Sequence, residues 1–277
     1  MSIKDITIVI ASFQSDKRLS DCLNSIDKQC SVIVVENSNN KKIKNEIENK
    51  FPNTKCILTG ENLGYGRANN IGLKQVNTKY ALILNPDTIL FEETLEKFIA
   101  AAKHMPDFAI MAPFEQNIIL KNRENLVPRI VKSVKGFAMF LNLKEFREVG
   151  FFDEKFFLYF EDIDLCNRLQ KKDKIIYLIP SIKVKHLGGS SSDESMNDER
   201  ELTRNWHWMW SSFIYHKKYK GFLISLLIIL PKLFSSILKI FLYTLINNKK
   251  KKEIYHHRFS GLISAIIGRN SWHRPNV

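Results

Sequence analysis

Residues 6–11 read ITIVIA, and this run of β-branched and apolar residues predicts a buried strand. A second buried strand is predicted at residues 31–36 (SVIVVE), with a segment of helical spacing at 18–27 between the two. A charged helix at 41–50 and a short strand at 56–58 follow. This alternation predicts right-handed crossovers and an α/β fold, in which helices cover both faces of a mostly parallel sheet.

The rest of the chain continues this pattern less regularly. Residues 114–130 carry few signals and are expected to form loops or edge strands. The polar residues 190–200 have the composition of a mobile loop, and we expect them to form a lid. The other predicted elements are strands at 80–84, 109–113, 136–142 and 174–179, and helices at 91–103 and through Phe146.

Residues 151–168 read FFDEKFFLYFEDIDLCNR, in which four aromatic residues precede Glu161, Asp162 and Asp164. These acids fall in the expected first turn of a helix, where partial positive charge and unpaired N–H groups favour carboxylates. Three acids beside an apolar segment are costly to desolvate, so a cation or a reacting proton is expected nearby. The alternative is an acidic first turn whose side chains are solvated.

Polar residues directly after the predicted strands are the candidate ligand contacts. In parallel α/β sheets ligands bind beyond the carboxyl ends of the strands, where the loops converge. Those positions hold Ser12 and Gln14, Glu36 and Asn37, the loop 59–70, and Asn85-Pro86-Asp87.

Within loop 59–70, Gly64 and Gly66 precede a helix expected to start near Arg67. Glycines at a helix start let backbone N–H groups approach a phosphate, and the arginine offers a cation for a diphosphate. An ordinary turn with an exposed arginine is the alternative, and the dinucleotide fingerprint GxGxxG is absent from the sequence.

Two further residues could bind a metal. Asp87 follows a central strand, where its carboxylate could hold a hard cation; capping of the next helix is the alternative. His186 follows the segment SIKVKH and precedes a Gly-Gly pair, from where it could reach a metal site, although a lone histidine is usually surface or core decoration.

The net charge of +13 is concentrated in the last third of the chain, where residues 249–252 are four lysines. This distribution suggests an anionic partner, either a membrane or a nucleic acid. The clustered lysines follow an apolar segment, so we expect no nucleic acid. Four cysteines without paired spacing and the absence of a signal peptide predict a reducing, cytoplasmic location.

Residues 221–246 form an apolar segment long enough to span a bilayer. Pro231, Lys232 and Lys239 near its middle argue against a simple span. We therefore expect two apolar helices that lie at the membrane interface, with the lysine cluster on anionic headgroups. A hairpin packed on the domain or at a dimer interface is the alternative. The expected division is a domain at 1–215 and a membrane-associating segment at 216–277.

Together these motifs resemble the inverting nucleotide-sugar glycosyltransferases of family two, which have the Rossmann-like GT-A fold. The similarity covers roughly residues 3–215, and within the family it is greatest to bacterial rhamnosyltransferases of cell-surface polysaccharide synthesis. The motifs that carry it are TIVIASFQ, VIVVENSN, NLGYGRANNIGL, LILNPDT, KGFAMFLNLKEFREVGFFDEKFFLYFEDIDLCNRL and VKHLGG.

The resemblance implies a role for each matching residue. Asp162 would be the general base, with Glu161 beside it and the aromatic run as a wall that holds the base beside the sugar. Asp87 would bind Mg²⁺ or Mn²⁺, with His186 completing the coordination. The implied nucleotide and donor contacts are Ser12, Glu36, Asn37, Gly64, Gly66, Arg67, Asn69, Asn85 and Gly136.

Three positions depart from the family pattern: Glu36 and Asn85 each replace an aspartate, and Gln14 replaces an asparagine. The resemblance nevertheless implies transfer of a sugar, L-rhamnose from dTDP-rhamnose, to a lipid-linked or polysaccharide acceptor. The expected location is the inner face of the cytoplasmic membrane. The alternatives are a UDP-hexose or UDP-N-acetylhexosamine donor, and a nonenzymatic subunit of a glycan assembly complex.

Overall fold

The computed structural model describes residues 2–115, 126–187 and 197–274. It consists of two compact units: Met1–Asp153 with Asp162–Asp193, here the sheet unit, and Glu154–Glu161 with Glu194–Val277, here the helical unit. The predicted division after residue 215 concerned membrane association and stays a prediction. Of the lid predicted at 190–200, residues 190–196 lie outside the described residues, and residues 197–200 are helical.

One sheet organises the sheet unit, with the spatial order β3-β2-β1-β4-β8-β6-β9-β5 and β7 paired with β9. The first four strands in this order are parallel, whereas β8 runs antiparallel to both β4 and β6. The strands are β1 Ile6–Ser12, β2 Ser31–Glu36, β3 Thr54–Leu58, β4 Tyr80–Leu84, β5 Thr88–Leu90, β6 Phe108–Glu115, β7 Arg129–Ile130, β8 Ala138–Asn142 and β9 Ile175–His186.

Helices cover both faces of this sheet because strand side chains alternate between the two faces. Along β1, Ile8 packs in the core that contains helix residues such as Leu19 and Phe98, whereas Val9 packs in the opposite core with Leu165. The predicted fold class is therefore confirmed. The helices of the first face are α1 Asp16–Asn24, α2 Lys41–Lys50 and α4 Thr94–His104; those of the second are α3 Tyr65–Leu73 and α5 Glu161–Gln170.

Two local predictions were wrong and one strand was missed. The helix predicted through Phe146 is a single 3₁₀ turn, Leu143–Phe146. The break expected after Ile179 does not occur, since β9 continues through Pro180 to His186 with a register shift against β6. Strand β5, only three residues long, was not predicted. All four cysteines are buried and free, as expected for a reducing compartment.

The helical unit contains α6 Asn197–Lys220, α7 Phe222–Leu245 and α8 Lys249–Ile266. Its core includes Trp206, Trp210, Ile229 and Leu262. The prediction of two helices within residues 221–246 was wrong, because α7 runs without interruption through Pro231. By length and composition α7 could cross a membrane, and 17% of its most apolar window is buried.

Candidate active site

A buried carboxylate lies where the first parallel strands end. Glu36, the last residue of β2, is fully buried and lies in register with Ser12 of β1. Its Oε1 accepts hydrogen bonds from the Gln14 N–H (3.2 Å) and the Ser38 hydroxyl (2.8 Å). Neither Glu36 Oε2 nor Ser12 Oγ, both buried, has a hydrogen-bond partner among the described residues. Buried polar atoms of this kind point to a ligand that supplies the missing partners.

The side chain of Asn37 holds the glycine loop that follows β3. Its Nδ2 donates to the Gly64 carbonyl (3.2 Å), and its Oδ1 accepts from the Leu63 N–H (3.3 Å). Gly64 has φ +85°, a conformation that suits glycine, and immediately precedes α3. Asn37 therefore positions this loop through its side-chain amide.

Helix α3 begins at Tyr65, two residues before the predicted start. Gly66 is therefore buried inside its first turn, whereas Arg67 is exposed. Asn69 is fully buried; its Nδ2 donates to the Tyr65 carbonyl (3.0 Å), while its Oδ1 has no hydrogen-bond partner within the described ranges. Asn69 Oδ1 is therefore a further buried oxygen without a partner in the described residues, in addition to Glu36 Oε2 and Ser12 Oγ.

The unpredicted strand β5 brings Asp87 and His186 together. Antiparallel pairing of β5 with β9 places Thr88 opposite His186, and the Leu187 N–H donates to the Asp87 carbonyl (3.1 Å). Asp87 Oδ1 then lies 3.4 Å from His186 Nε2. Asp87 is buried, and Asn85 Oδ1 close by in the chain is a buried oxygen without a hydrogen-bond partner in the described part.

Two consecutive residues connect this pair to Asp162. The Phe137 ring stacks on His186 at 4.5 Å between centroids, and its carbonyl accepts from the Asn85 N–H (2.8 Å). The preceding Gly136 donates its N–H to Asp162 Oδ2 (3.0 Å). The site therefore has a carboxylate at one end of the 136–137 dipeptide and an Asp–His pair at the other.

The Asp162 carboxylate has a perturbed acidity. Burial raises its pKa, while hydrogen bonds from the Ile163 and Gly136 N–H groups partly oppose the rise. A carboxylate whose pKa lies above its ordinary range is a better proton acceptor than a free aspartate. Gly136 leaves little space here, since a Cβ at its position would meet Tyr65 Oη at 3.3 Å.

The chain reaches α5 through two strained residues. Tyr159 and Phe160 have φ of +68° each, a region that costs non-glycine residues about 1–3 kcal/mol. Their rings pack against Trp208 at 5.2 and 5.4 Å, within the helical unit. Glu161, the first residue of α5, is buried and is the last residue of the helical unit's 154–161 segment. Glu161 therefore belongs to the helical unit, whereas the next residue, Asp162, belongs to the sheet unit.

The aromatic run packs within the helical unit, and its predicted role as a wall beside the sugar stays a prediction. Phe156 is part of the core of the helical unit, and Phe157 stacks on His207 at 4.5 Å. The aromatic side chains therefore pack with α6 and its neighbours.

Asp164 and Arg168 form an ion pair one turn apart on α5, with Arg168 Nε 2.8 Å from Asp164 Oδ2. Arg168 Nη1 also donates to the Val149 carbonyl (2.7 Å), and Asn70 exchanges two hydrogen bonds with the Phe152 backbone. These side chains hold the loop ahead of the aromatic run.

Sequence reasoning missed two contributors to the site. Tyr65 donates its hydroxyl to the Gly136 carbonyl (2.5 Å), and Phe137 packs on His186. Both stand inside quoted motifs, so their position beside Gly64 and Gly136 was the available signal. The described residues contain no cluster of three or more His, Cys, Asp or Glu side chains able to hold a metal ion. Asp87 and His186 are thus a pair of potential ligands.

This fold and site define a GT-A glycosyltransferase domain. The glycosyl transferase family 2 model matches residues 7–166, more than half of the chain. The chain belongs to this family, and the predicted family resemblance is confirmed. The match contains every strand-end residue described above except His186.

Curated relatives come from archaea and bacteria. The low-salt glycan biosynthesis hexosyltransferase Agl10 of Haloferax volcanii is 22% identical over 199 residues, 62% of this chain and 63% of the relative. This chain therefore spans less than two thirds of that protein. N-acetylglucosaminyl-diphospho-decaprenol L-rhamnosyltransferase of Mycobacterium tuberculosis is 23% identical over 231 residues, 65% of this chain and 75% of the relative. Rhamnosyltransferase WbbL of Escherichia coli K12 is 26% identical over 206 residues, 61% and 77% respectively.

Among solved structures, the chain is similar to the mannosyltransferase PcManGT from Pyrobaculum calidifontis in complex with GDP-Man and Mn²⁺. The TM-score is 0.60 at 11% identity, and the match covers 95% of this chain and 87% of that one. At this identity the similarity supports the fold.

Proposed function

We propose that this chain is an inverting glycosyltransferase that moves L-rhamnose from dTDP-rhamnose to a lipid-linked or polysaccharide acceptor. Two relatives whose names state rhamnosyl transfer, at 23% and 26% identity, support this choice of sugar. The name of one of them gives a diphospho-decaprenol acceptor, which supports a lipid-linked acceptor here.

The observation that carries the proposal is the connection from Asp162 through Gly136 and Phe137 to the Asp87–His186 pair. In the reaction, the Asp162 carboxylate takes the proton of the acceptor hydroxyl as that oxygen attacks the anomeric carbon. The bond from this carbon to the nucleoside diphosphate breaks in the same step, with its electron pair leaving on the diphosphate. A single displacement inverts the configuration, and burial, by raising the Asp162 pKa, favours the proton transfer.

The donor nucleotide would be bound at the ends of β1 and β2. Glu36 Oε2 and Ser12 Oγ offer hydrogen-bonding capacity to the base and ribose. The backbone N–H groups near Gly64 and Gly66 at the start of α3, with Arg67, would face the diphosphate. Asn69 and Asn85 are assigned to the donor because each has a buried oxygen without a hydrogen-bond partner among the described residues. Gly136 is assigned to it because it lies against Asp162, and Asn37 positions the loop.

Asp87 and His186 fit a divalent cation, Mg²⁺ or Mn²⁺. Their oxygen and nitrogen lie 3.4 Å apart, and buried Asp87 Oδ1 has no hydrogen-bond partner among the described residues. The Mn²⁺ named in the mannosyltransferase structure supports this assignment. When bound, the ion would neutralise negative charge on the departing diphosphate. Glu161, directly before the base, is proposed as its acidic neighbour.

We also assign the enzyme to the inner face of the cytoplasmic membrane, on an anionic lipid surface. The apolar helix α7, followed by the exposed lysines 249–252, supports this location. A lipid-linked acceptor would be available there.

A donor screen tests the function. The purified chain is incubated with Mn²⁺, a polyprenyl-diphospho-N-acetylglucosamine acceptor, and dTDP-rhamnose, UDP-glucose or UDP-N-acetylglucosamine. We expect transfer from dTDP-rhamnose with inverted anomeric configuration, measured by NMR of the product. Transfer from a UDP-sugar alone would favour the alternative donor, for which the hexosyltransferase relative is the supporting observation. Absence of transfer from every donor would contradict the proposal.

A further inference from the structure

The helical unit contains a basic groove that catalysis does not use. The groove has a volume of about 330 Å³ and lies among α6, α7 and α8. None of its lining residues is acidic: they are Trp208, Met209, Pro231, Lys232, Ser235, Ser236, Tyr255 and Arg258.

Three cations at this groove are bound by neutral groups only. Lys232 Nζ lies 3.1 Å from Ser212 Oγ, Lys239 Nζ lies 3.1 Å from the Tyr255 hydroxyl, and Arg258 donates Nε–H to Asn205 Oδ1 (2.6 Å). In the part of the chain that the structure describes, no carboxylate forms an ion pair with any of the three. Half-buried cations without anionic partners are costly, because desolvation is not repaid by an opposite charge.

The ring of Tyr255 holds two of these cations together. Lys239 Nζ and the Arg258 guanidinium lie 4.7 and 5.0 Å from the centre of this ring. Burial lowers the pKa of the Lys232 ammonium, and an anion in the groove would oppose that effect. The groove therefore has the charge of an anion site, with aromatic side chains at its edge.

The face of α7 that adjoins the Pro231 side of the groove is apolar and exposed. Leu223, Leu227, Phe234, Leu238 and Phe241, each at least 62% exposed, recur at the spacing of one helix face. Lys232 and Lys239, which argued against a membrane from sequence, lie instead on the face that contacts α6 and α8. An anionic lipid is complementary to an apolar helix face next to a basic groove. Its acyl chains match the apolar face, and its phosphate matches the groove.

We infer that the groove lined by Lys232 and Arg258, with Lys239 against its Tyr255 wall, binds the phosphate of an anionic bilayer lipid while the apolar face of α7 enters the acyl-chain boundary. This inference rests on the proposed membrane association and adds to it a defined headgroup site. The Ser235 hydroxyl and the terminal amino groups of Arg258 supply hydrogen-bond donors for phosphate oxygens.

Vesicle sedimentation of the full chain tests the site. Affinity is measured for vesicles of phosphatidylcholine mixed with phosphatidylglycerol and for vesicles of phosphatidylcholine alone. The quantity compared is the ratio of the first affinity to the second. We expect Lys232→Met and Arg258→Gln each to lower this ratio about fivefold, and Arg258→Lys to retain it. Lys172→Gln, at an exposed lysine of the sheet unit, is the charge-matched control and should leave the ratio nearly unchanged.

Each outcome decides one question. If Arg258→Gln leaves this ratio unchanged and its thermal unfolding matches that of the wild-type chain, the headgroup site is overturned. The headgroup site is also overturned if inorganic phosphate protects the wild-type chain against thermal unfolding while vesicle binding does not depend on lipid charge. That result would favour a soluble anion as the ligand. Sugar transfer to a detergent-solubilised acceptor is measured on the same samples. Loss of that transfer alone would count against the proposed function and leave the lipid site standing.

Discussion

The sheet unit and the helical unit depart from ordinary burial in opposite directions. In the sheet unit, Glu36 and Asp87 are carboxylates with 0% and 2% exposure. In the helical unit, Leu223, Leu227 and Phe234 are apolar side chains with 75%, 67% and 62% exposure. Carboxylates are seldom fully buried without a partner, and contiguous exposed apolar residues are unusual in a soluble domain.

The difference indicates what each unit binds. A buried oxygen without a hydrogen-bond partner is stabilised when a polar or cationic ligand arrives, whereas an exposed apolar face is stabilised when water leaves it. Under the proposals made above, the sheet unit binds the nucleotide and the metal, and the helical unit binds lipid. If this comparison holds, variants in one unit should change one kind of binding and spare the other.

The largest effect is expected from Asp162→Asn. The amide keeps the size of the side chain but removes the proton acceptor, so sugar transfer should fall about 10²–10⁴-fold. Donor-nucleotide affinity, measured by calorimetry, should change little. Vesicle binding by the helical unit should also be unaffected, as expected if the two units bind different ligands.

Asp107→Asn is the matched control for this change, because Asp107 is exposed and lies just before β6. It should retain wild-type transfer. Substantial turnover by Asp162→Asn would remove this residue as the base and leave the 136–137 connection as a structural feature only.

Asp87→Asn should have the next largest effect. Chelation should abolish transfer by the wild-type chain and added Mn²⁺ should restore it, because Asp87 and His186 are the candidate ligands. In the variant we expect the Mn²⁺ concentration for half-maximal activity to rise at least about tenfold. Full activity of the wild-type chain in a chelator would contradict the metal assignment.

Much of the sheet unit follows from local sequence. The runs 6–11 and 31–36 alternate with helical spacing, so the parallel strands and their polar ends at Ser12 and Glu36 were predictable. The acids Glu161, Asp162 and Asp164 could also be found, because carboxylates behind an apolar run are a local signal. The choice of Asp162 among them came from the family resemblance.

What the sequence did not predict depends on contacts between distant segments. Three-residue β5 has no periodicity to detect, yet its pairing with β9 brings His186 to Asp87. Likewise, the aromatic run at 156–160 has no local feature that distinguishes a sugar-site wall from packing on α6. Nor does composition say that the two lysines of α7 contact neighbouring helices.

One tightly packed glycine in each unit allows the effect of a substitution on the free energy of unfolding to be compared between the two units. A Cβ at Gly261 of α8 would lie 2.4 Å from the Trp206 carbonyl oxygen, and one at Gly72 of α3 would lie 2.5 Å from Val9 Cγ1. We expect Gly261→Ala to lower the free energy of unfolding by about 1–3 kcal/mol, because the backbone of α6 has to move. Gly72→Ala should cost less, since a side chain can adjust and alanine favours the helix.

Urea unfolding of both variants measures these costs, with vesicle binding and sugar transfer as separate readouts. Gly261→Ala should weaken vesicle binding more than it weakens nucleotide binding. The reverse order would contradict the assignment of lipid binding to the helical unit.

The smallest effect is a pH dependence that comes from Asp162 alone. Burial raises the pKa of this carboxyl in the folded chain above its ordinary value of 3.8. Since the folded state then binds the proton more tightly than the unfolded state, the Asp162 contribution to stability decreases as pH rises from 3.8 through the folded-state pKa. The wild-type chain should therefore lose stability relative to Asp162→Asn over that window, whereas kcat/KM should rise through the same folded-state pKa as the base ionises. Thermal unfolding of both chains across pH, with the acid limb of kcat/KM, measures the two trends. An acid limb centred at the ordinary aspartate pKa, with no pH-dependent stability difference, would show that burial does not tune this carboxylate.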